Sequence, residues 1–237
     1  MTLKSPISPN RDIAHIIERQ MRNWELARST NRPEAKHTPQ EVHEFVTLSR
    51  SVGLPGERVA LRLGERLNWP VFDKELLHEM AGNDAYRERL YRVMDERDLS
   101  WLETVVQSAD MGHPVRDDYF NRLRRTVLAL SRKAPMIFLG RAADLILPRT
   151  HGLRVRLTAP HEHCVRCYAA AHHVSEGEAE GAIRQVEQDR AKFFRLHFHV
   201  DPSDPTRHDM VLNLQRLSEE QATDMILAAL RIKHILK

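Results

Sequence analysis

The stretch FVTLSRSVGLPGERVALRLGERLN, residues 45–68, constrains this chain more than any other. It opens with a β-rich run, Phe45-Val46-Thr47-Leu48, and passes through a loop that holds Gly53 and Gly56. It continues as an amphipathic helix with Val59, Leu61, Leu63 and Leu67 at apolar positions. A strand leaving through a glycine loop into a helix N-terminus has the local geometry of a phosphate-binding loop. The full motif ends in Gly-Lys-Ser/Thr: backbone N–H groups and the Lys surround phosphates, and the hydroxyl holds Mg²⁺. Gly53-Leu54-Pro55-Gly56-Glu57-Arg58 has neither the Lys nor the hydroxyl. Scaffold and chemistry point in different directions.

The rest of the chain alternates short apolar runs with helical periodicity. Residues 11–29 place Ile13, Ile16, Ile17, Met21, Trp24 and Leu26 near helical spacing, and TNRPEAKHTPQ then reads as a linker. The first 42 residues are expected to form a helical extension, either docked on the core or offered to a partner. Docking is favoured because Trp24 needs cover. Trp69-Pro70-Val71-Phe72 is extended, and Asp73 is placed to cap a helix over 74–81. Residues 84–110 read as helical and heavily charged, and 116–132 as a further helix. Pro135 to Leu139, Leu153 to Thr158 and Asp209 to Asn213 are strands. Helices are expected over 141–147, 161–173, 176–198 and 218–236, the last capped by Ser218. Strands separated by helical crossovers predict an α/β fold with a five-stranded, mainly parallel sheet flanked by helices. Ligands bind such sheets at the carboxyl ends of the strands. Those ends carry Arg50 to Gly56, Asp73, Gly140-Arg141, Thr158-Ala159-Pro160 and Asn213.

Composition narrows the partners. With 36 basic and 33 acidic residues the formal charge is only +3, which argues against nucleic acid but suits small anions. No run approaches the roughly 18 apolar residues of a membrane span. MTLKSPISPNRD has no apolar stretch of signal-peptide length, so a cytoplasmic protein is expected. Two cysteines are too few for a disulfide framework.

The segments SRSVGLPGERVALRLGERLNWPVFDKELL, DERDLSWLE, IFLGRAADLIL, LRVRLTAPHEHCVRCY, QVEQDRAKFFR and HDMVLNLQRLS, in that order, resemble the cytidylate kinase-like family. That family is a branch of the P-loop nucleoside monophosphate kinases, and the likeness organises residues 45 to about 225. The resemblance implies a kinase-like domain over 43–237, with a helical acceptor-binding insertion over 74–132 and a lid over 176–199. It implies ATP and Mg²⁺ as cofactors and a nucleoside monophosphate or related small phosphorylated molecule as acceptor. Gly53, Gly56, Glu57 and Arg58 would wrap the ATP phosphates, Asp73 and Arg141 would lie on the acceptor side, and Asn213 through Arg216 would lie near the adenine. Asp189, Arg190 and Arg195 would come from the lid and, with Arg141, form the catalytic set. Arginine suits that task because its fork of donors matches phosphate oxygens. A homodimer or a partner protein held through the N-terminal helix is a further expectation.

The sequence also departs from the pattern. Cytidylate kinases proper carry Lys and a hydroxyl residue in the loop; the kinase-like branch tends to have Gly for that Lys, as Gly56 is here. Pro55 removes an N–H from a loop whose N–H groups are its function, and Glu57 adds negative charge at a helix N-terminus. Ala142 stands where a classical cytidylate kinase has an acid. An active kinase and a catalytically silent relative that senses a nucleotide or docks a partner both remain open.

Plainer readings stand beside these. Gly53 and Gly56 suit any strand-to-helix turn, Asp73 any helix cap, and Arg141 a surface ion pair with Asp144 at i,i+3. The helix bearing Arg184, Asp189, Arg190, Lys192 and Arg195 is by default a solvated face. Phe193, Phe194 and Phe198, with His197 and His199, suggest that its far end packs on something. His161, His163, Cys164 and Cys167 have the elements of a zinc or redox site without standard spacing, and two small packed thiols are the preferred account.

Overall fold

The computed structural model describes residues 13–30, 42–110, 118–149 and 151–236. Most of the expected linker, and residues 1–12, fall outside them. Five strands, β1 (Phe45–Arg50), β2 (Val71–Phe72), β3 (Met136–Leu139), β4 (Gly152–Thr158) and β5 (Met210–Asn213), form one sheet in the order β2-β3-β1-β4-β5. Every neighbouring pair is parallel, so each carboxyl end emerges at the same edge. β1 is central, with Leu48 opposite Leu139 on one side and Val155 on the other.

Side-chain alternation along the strands divides the core. Val46 and Leu48 of β1 join Ile137, Leu139, Val155 and Leu157 beneath α2 (Gly56–Leu67) and α10 (Glu219–Ile232). Phe45, Phe72 and Phe138 point the other way, into a larger cluster with α1 (Ile13–Thr30), α3 (Lys74–Gly82) and α6 (Asp118–Lys133). Strands apolar on both faces are what a doubly covered parallel sheet requires.

α1 is docked. Ile17, Met21 and Trp24 are fully buried in the larger cluster. The Trp24 indole N–H donates to the Leu130 carbonyl at 3.0 Å, and Gln20 Oε1 accepts from the Val71 amide at 3.0 Å. Arg89 bridges to Glu18 and Glu25, both at 2.9 Å, and fixes the exposed flank. Ile17, Met21 and Trp24 of this helix serve the core, and Leu26 is exposed.

The charged segment after α3 corrects one expectation. It is two helices, α4 (Asp84–Tyr91) and α5 (Glu96–Asp110), rather than one run over 84–110. Asp95 Oδ1 accepts from the Asp98 amide at 2.9 Å, and Asp98 Oδ2 accepts from the Asp95 amide at 3.1 Å. That reciprocal cap starts a new helix, so the periodicity restarts with a turn between. Asp98 is buried and also holds Arg132 at 2.7 Å and Lys133, both from the end of α6.

α7 (Ala143–Ile146) begins two residues later than the sequence suggests, because Arg141 and Ala142 are both left-handed, with φ of 55° and 54°. α8 (His161–His172) and α9 (Glu176–Phe198) follow β4, and α9 starts at a capping box between Ser175 and Glu178. The far end of α9 packs on α6 through aromatic contacts, with Phe120 at 5.9 Å from Phe193 and 5.3 Å from Phe198, both edge-on. Pairs of this geometry add to simple burial.

Two outcomes follow from this packing. Replacing Trp24→Ala will lower the unfolding free energy by about 3–5 kcal/mol in a denaturant titration; a loss below about 1 kcal/mol would mean that α1 is not part of the core. Burial pushes the Asp98 carboxyl up, but Lys133 and Arg132 outweigh it and hold the group below its ordinary value. A depressed folded value means that this stabilisation is complete above the unfolded carboxylate range and lost as pH falls through the folded value. Stability will therefore fall below about pH 4, and less steeply in Asp98→Asn than in the unaltered protein. Parallel acid profiles would remove the network from the account.

Candidate phosphate-binding site

The loop after β1 is packed, not open. The Ser51 amide donates to the Leu157 carbonyl at 3.0 Å and ties the loop to β4. Within the loop, the amides of Leu54, Gly56 and Arg58 donate to Ser51, Leu54 and Pro55 carbonyls at 3.3, 2.9 and 3.1 Å. Pro55 has no N–H to give. Val52 and Leu54 are buried against Cys164, Val165 and Ala169 of α8 and Ala179 and Ile183 of α9. Gly53, at φ +94°, lies so close to α8 that a Cβ there would sit 2.3 Å from the Cys164 carbonyl oxygen. The amides of Leu54, Gly56 and Arg58 serve the turn, and an apolar anchor seats it on two helices.

Positive charge gathers beside this loop. Arg190 of α9 donates from Nη1 to the Arg50 carbonyl at 2.7 Å, across the mouth of β1. Its guanidinium is pushed down to about 10 by burial first, then by Arg50 and Arg156, with Glu187 opposing. Lys74, the first residue of α3, is pushed down by burial, then by Arg141, and further by Arg50 and Arg190, against Glu75. Arg156 of β4 is likewise lowered by burial and then by Arg207. Among the described residues, no carboxylate comes within ion-pairing distance of Arg50, Lys74, Arg141, Arg156 or Arg190. Such an arrangement is stabilised by an anion.

The turn after β3 aims Arg141 at this edge. Gly140, Arg141 and Ala142 all have positive φ, a conformation costing roughly 1–3 kcal/mol for each non-glycine residue, and concentrated at functional turns. Arg141 lies over the Tyr119 ring, 5.9 Å from its centroid, and its buried Nε has no hydrogen-bond partner. The Tyr119 hydroxyl and His78 Nδ1 are 2.9 Å apart. Burial, then Arg141, lowers the pKa of His78, so its ring is neutral at physiological pH. The i,i+3 ion pair that offered a plainer account of Arg141 is not formed. Asp144 is buried and pairs instead with Arg207.

The other sequence-predicted residues divide. Asp73 is buried and caps α3, its Oδ1 accepting from the Leu76 amide at 3.0 Å. Gly56 opens α2 and Glu57 lies in its first turn. Arg58 is 70% exposed and bonded to Glu219 of α10 at 3.1 Å, on the seam between two helices. Asp189 is exposed and accepts from Gln185 at 3.1 Å, and Arg195 is exposed. The Asn213 side chain accepts from the Gln215 amide at 2.9 Å and shapes the turn after β5. The fold thus brings Arg141 and Arg190 to one charge cluster and leaves Arg58, Asp189 and Arg195 engaged elsewhere or in solvent. Arg50, Lys74, Arg156, His78 and Tyr119 are the additions. Arg50 carried a signal, a charge at the end of a strand otherwise rich in apolar residues, and Arg156 a charge within apolar β4; His78 and Tyr119 carried none.

The cysteines follow the plainer account. Cys164 is buried, and burial, then Cys167, pushes its thiol up, which opposes thiolate chemistry. Cys167 Sγ lies 3.4 Å from His163 Nε2, and among the described residues no three His, Cys, Asp or Glu side chains converge as a metal site.

Residues 45–216, from β1 through the turn after β5, match the cytidylate kinase-like family, and the chain belongs to that family. Its fold is nucleoside monophosphate kinase-like, a five-stranded parallel sheet flanked by helices. A cytidylate kinase of Methanopyrus kandleri is 26% identical over 186 residues, which cover 75% of this chain and 90% of that protein. The crystal structure of an uncharacterized protein from Eubacterium ventriosum shares the fold, with a TM-score of 0.63 and 19% identity over 80% of this chain and 98% of that one. No helix among the described residues is long and apolar enough to cross a membrane.

If the cation cluster is a built site, inorganic phosphate will raise the melting temperature more than chloride does at equal ionic strength. At about 100 times Kd the gain is roughly 2.7 kcal/mol. Equal shifts with the two salts would reduce the cluster to general charge screening.

Proposed function

We propose that this protein transfers a phosphoryl group from ATP to a nucleoside monophosphate or a related small phosphorylated acceptor at the carboxyl edge of its sheet. The observation that carries this reading is the set of cations, Arg50, Lys74, Arg141, Arg156 and Arg190, gathered there without an ion-paired carboxylate among the described residues. Phosphoryl transfer is mostly positioning together with stabilisation of charge spread over phosphate oxygens, so a fixed array of guanidinium groups suits it. Arg190, which reaches in from α9 to the Arg50 carbonyl, would hold phosphate oxygens near the mouth of β1. Arg141, with Lys74 and the His78–Tyr119 pair, faces the acceptor side. ATP and Mg²⁺ are the expected cofactors: the cations fit phosphate oxygens, and Mg²⁺ would supply further neutralisation of the transferring group. The loop lacks the hydroxyl that ordinarily holds that ion, so the metal would rest mainly on the nucleotide's own oxygens. The segment 74–132 would then serve as the acceptor-binding insertion and α9 as the lid, excluding water from the reaction.

The packed loop favours a second reading. With Val52 and Leu54 buried and three amides committed internally, the donor pocket has lost part of its usual grip. A catalytically silent relative that binds a monophosphate and senses it would keep the Arg141 side and dispense with the loop.

Calorimetric titration with ATP–Mg²⁺ and with each nucleoside monophosphate, joined to an assay for ADP, separates the two readings. A kinase will bind both and release ADP only with its acceptor. Monophosphate binding without ATP binding supports the sensor, and binding of neither sinks both. Arg141→Ala will lower transfer by about 10²–10³-fold with the fold intact; unchanged turnover would remove it from the acceptor side.

A further inference from the structure

A loop that has lost its lysine still faces the problem the lysine solved, the charge on the donor's phosphates. The structure assigns that task to Arg50: we infer that the last residue of β1, and not a side chain of the loop itself, supplies the cation for the donor phosphates. This rests on the reading of the edge as a nucleotide site. Three features place Arg50 there. By strand alternation Val46, Leu48 and Arg50 share the face that α2 covers, so Arg50 stands beyond the buried leucine, at the N-terminal end of that helix. Its side chain then runs over Gly56, the first residue of α2. A Cβ at Gly56 would lie 2.6 Å from Arg50 Cδ and 3.4 Å from Arg50 Cβ. The glycine that stands in the lysine's place in the motif is the one that gives Arg50 room. Finally, the Arg50 carbonyl is fixed by Arg190 at 2.7 Å, which sets the strand end and brings a second guanidinium alongside.

The consequence is a change in how the site is held. A lysine on a loop is a flexible point charge, whereas an arginine rooted in the central strand is a planar fork with several donors. The turn can then be packed on α8 and α9 through Val52 and Leu54, because its side chains no longer have to reach the ligand. Gly56 and Arg50 become a single feature: enlarging the first displaces the second.

The test uses the full chain and ATP–Mg²⁺ as the calorimetric probe, with folding checked by circular dichroism and melting temperature. Arg50→Gln keeps the aliphatic contact with Gly56 and removes the charge; it will weaken ATP binding by at least about tenfold. Arg50→Lys will recover part of that loss, as charge returns without the fork. Gly56→Ala will reproduce the loss by pushing the Arg50 side chain aside. Arg66→Ala, which removes one positive charge from the far end of α2 where it pairs with Asp224 at 2.5 Å, will bind as the unaltered protein does. Undiminished ATP affinity in folded Arg50→Gln overturns the assignment alone, with the nucleotide site standing if Arg141→Ala still loses monophosphate. Equal losses in Arg50→Gln and Arg66→Ala also overturn it, since they would report net charge. Failure of the unaltered protein to bind ATP overturns both this inference and the donor half of the proposed function.

Discussion

Concentrated positive charge at one edge of a parallel sheet is the constraint to which the rest of this structure answers. Arg50, Lys74, Arg141, Arg156 and Arg190 gather there, and burial together with neighbouring cations pushes the pKa values of Lys74, Arg156 and Arg190 down. Among the described residues Glu75 and Glu187 offset that repulsion without an ion pair, and the layers beneath support the rest. They are well suited to do so: Phe45, Phe72, Phe138, Leu48 and Leu63 are all but inaccessible to solvent, and the sheet is covered on both faces. Charge is carried by a core that has apolar burial to spare.

The same division explains the altered loop. In a phosphate-binding turn the amides and a lysine are the chemistry, and the turn is tied to its ligand. Here three of the amides are used up inside the turn, and Leu54 drives it into a small apolar cluster shared with α8 and α9. That gives α9 a second attachment. Ala179 and Ile183 hold its near end to the loop, Phe193 and Phe198 hold its far end to Phe120, and Arg190 crosses between. The helix is thus held at both ends, with Arg190 between them.

A buried ion pair secures the return path. Arg207 holds Asp144 on α7 and donates to the Asp201 carbonyl at 3.1 Å, while Arg154 donates to the carbonyls of Asp144, Leu147 and Pro148 at the end of the same helix. These arginines spend their terminal donors on the protein, unlike Arg141. Arg154 and Arg207, near one short helix, both donate to the protein, although Arg207 Nε, like Arg141 Nε, is buried without a partner; among the described residues no hydrogen bond or ion pair holds the Arg141 side chain, on the strained turn before that helix. That difference lies in side-chain surroundings, and sequence position alone does not express it.

Much of the fold was legible in the chain. Period-two and period-3.6 patterns placed the five strands and most of the helices, and the crossover logic made the sheet parallel, because these are local consequences of which side chains must be covered. The break between α4 and α5 was missed because a cap between Asp95 and Asp98 interrupts a pattern that is apolar on both sides of it. The site was legible only at its edges. Gly140-Arg141 and the Arg-bearing helix could be marked as candidates, yet which arginines converge depends on the direction of each side chain after packing. Arg58 and Arg190 are alike as letters, and one meets Glu219 across a helix seam while the other lies against Arg50. The sequence by itself determined the layers, since burial follows from periodicity. Only the tertiary structure decided where the charge collects, since that depends on long-range neighbours and on which carboxylates are out of reach.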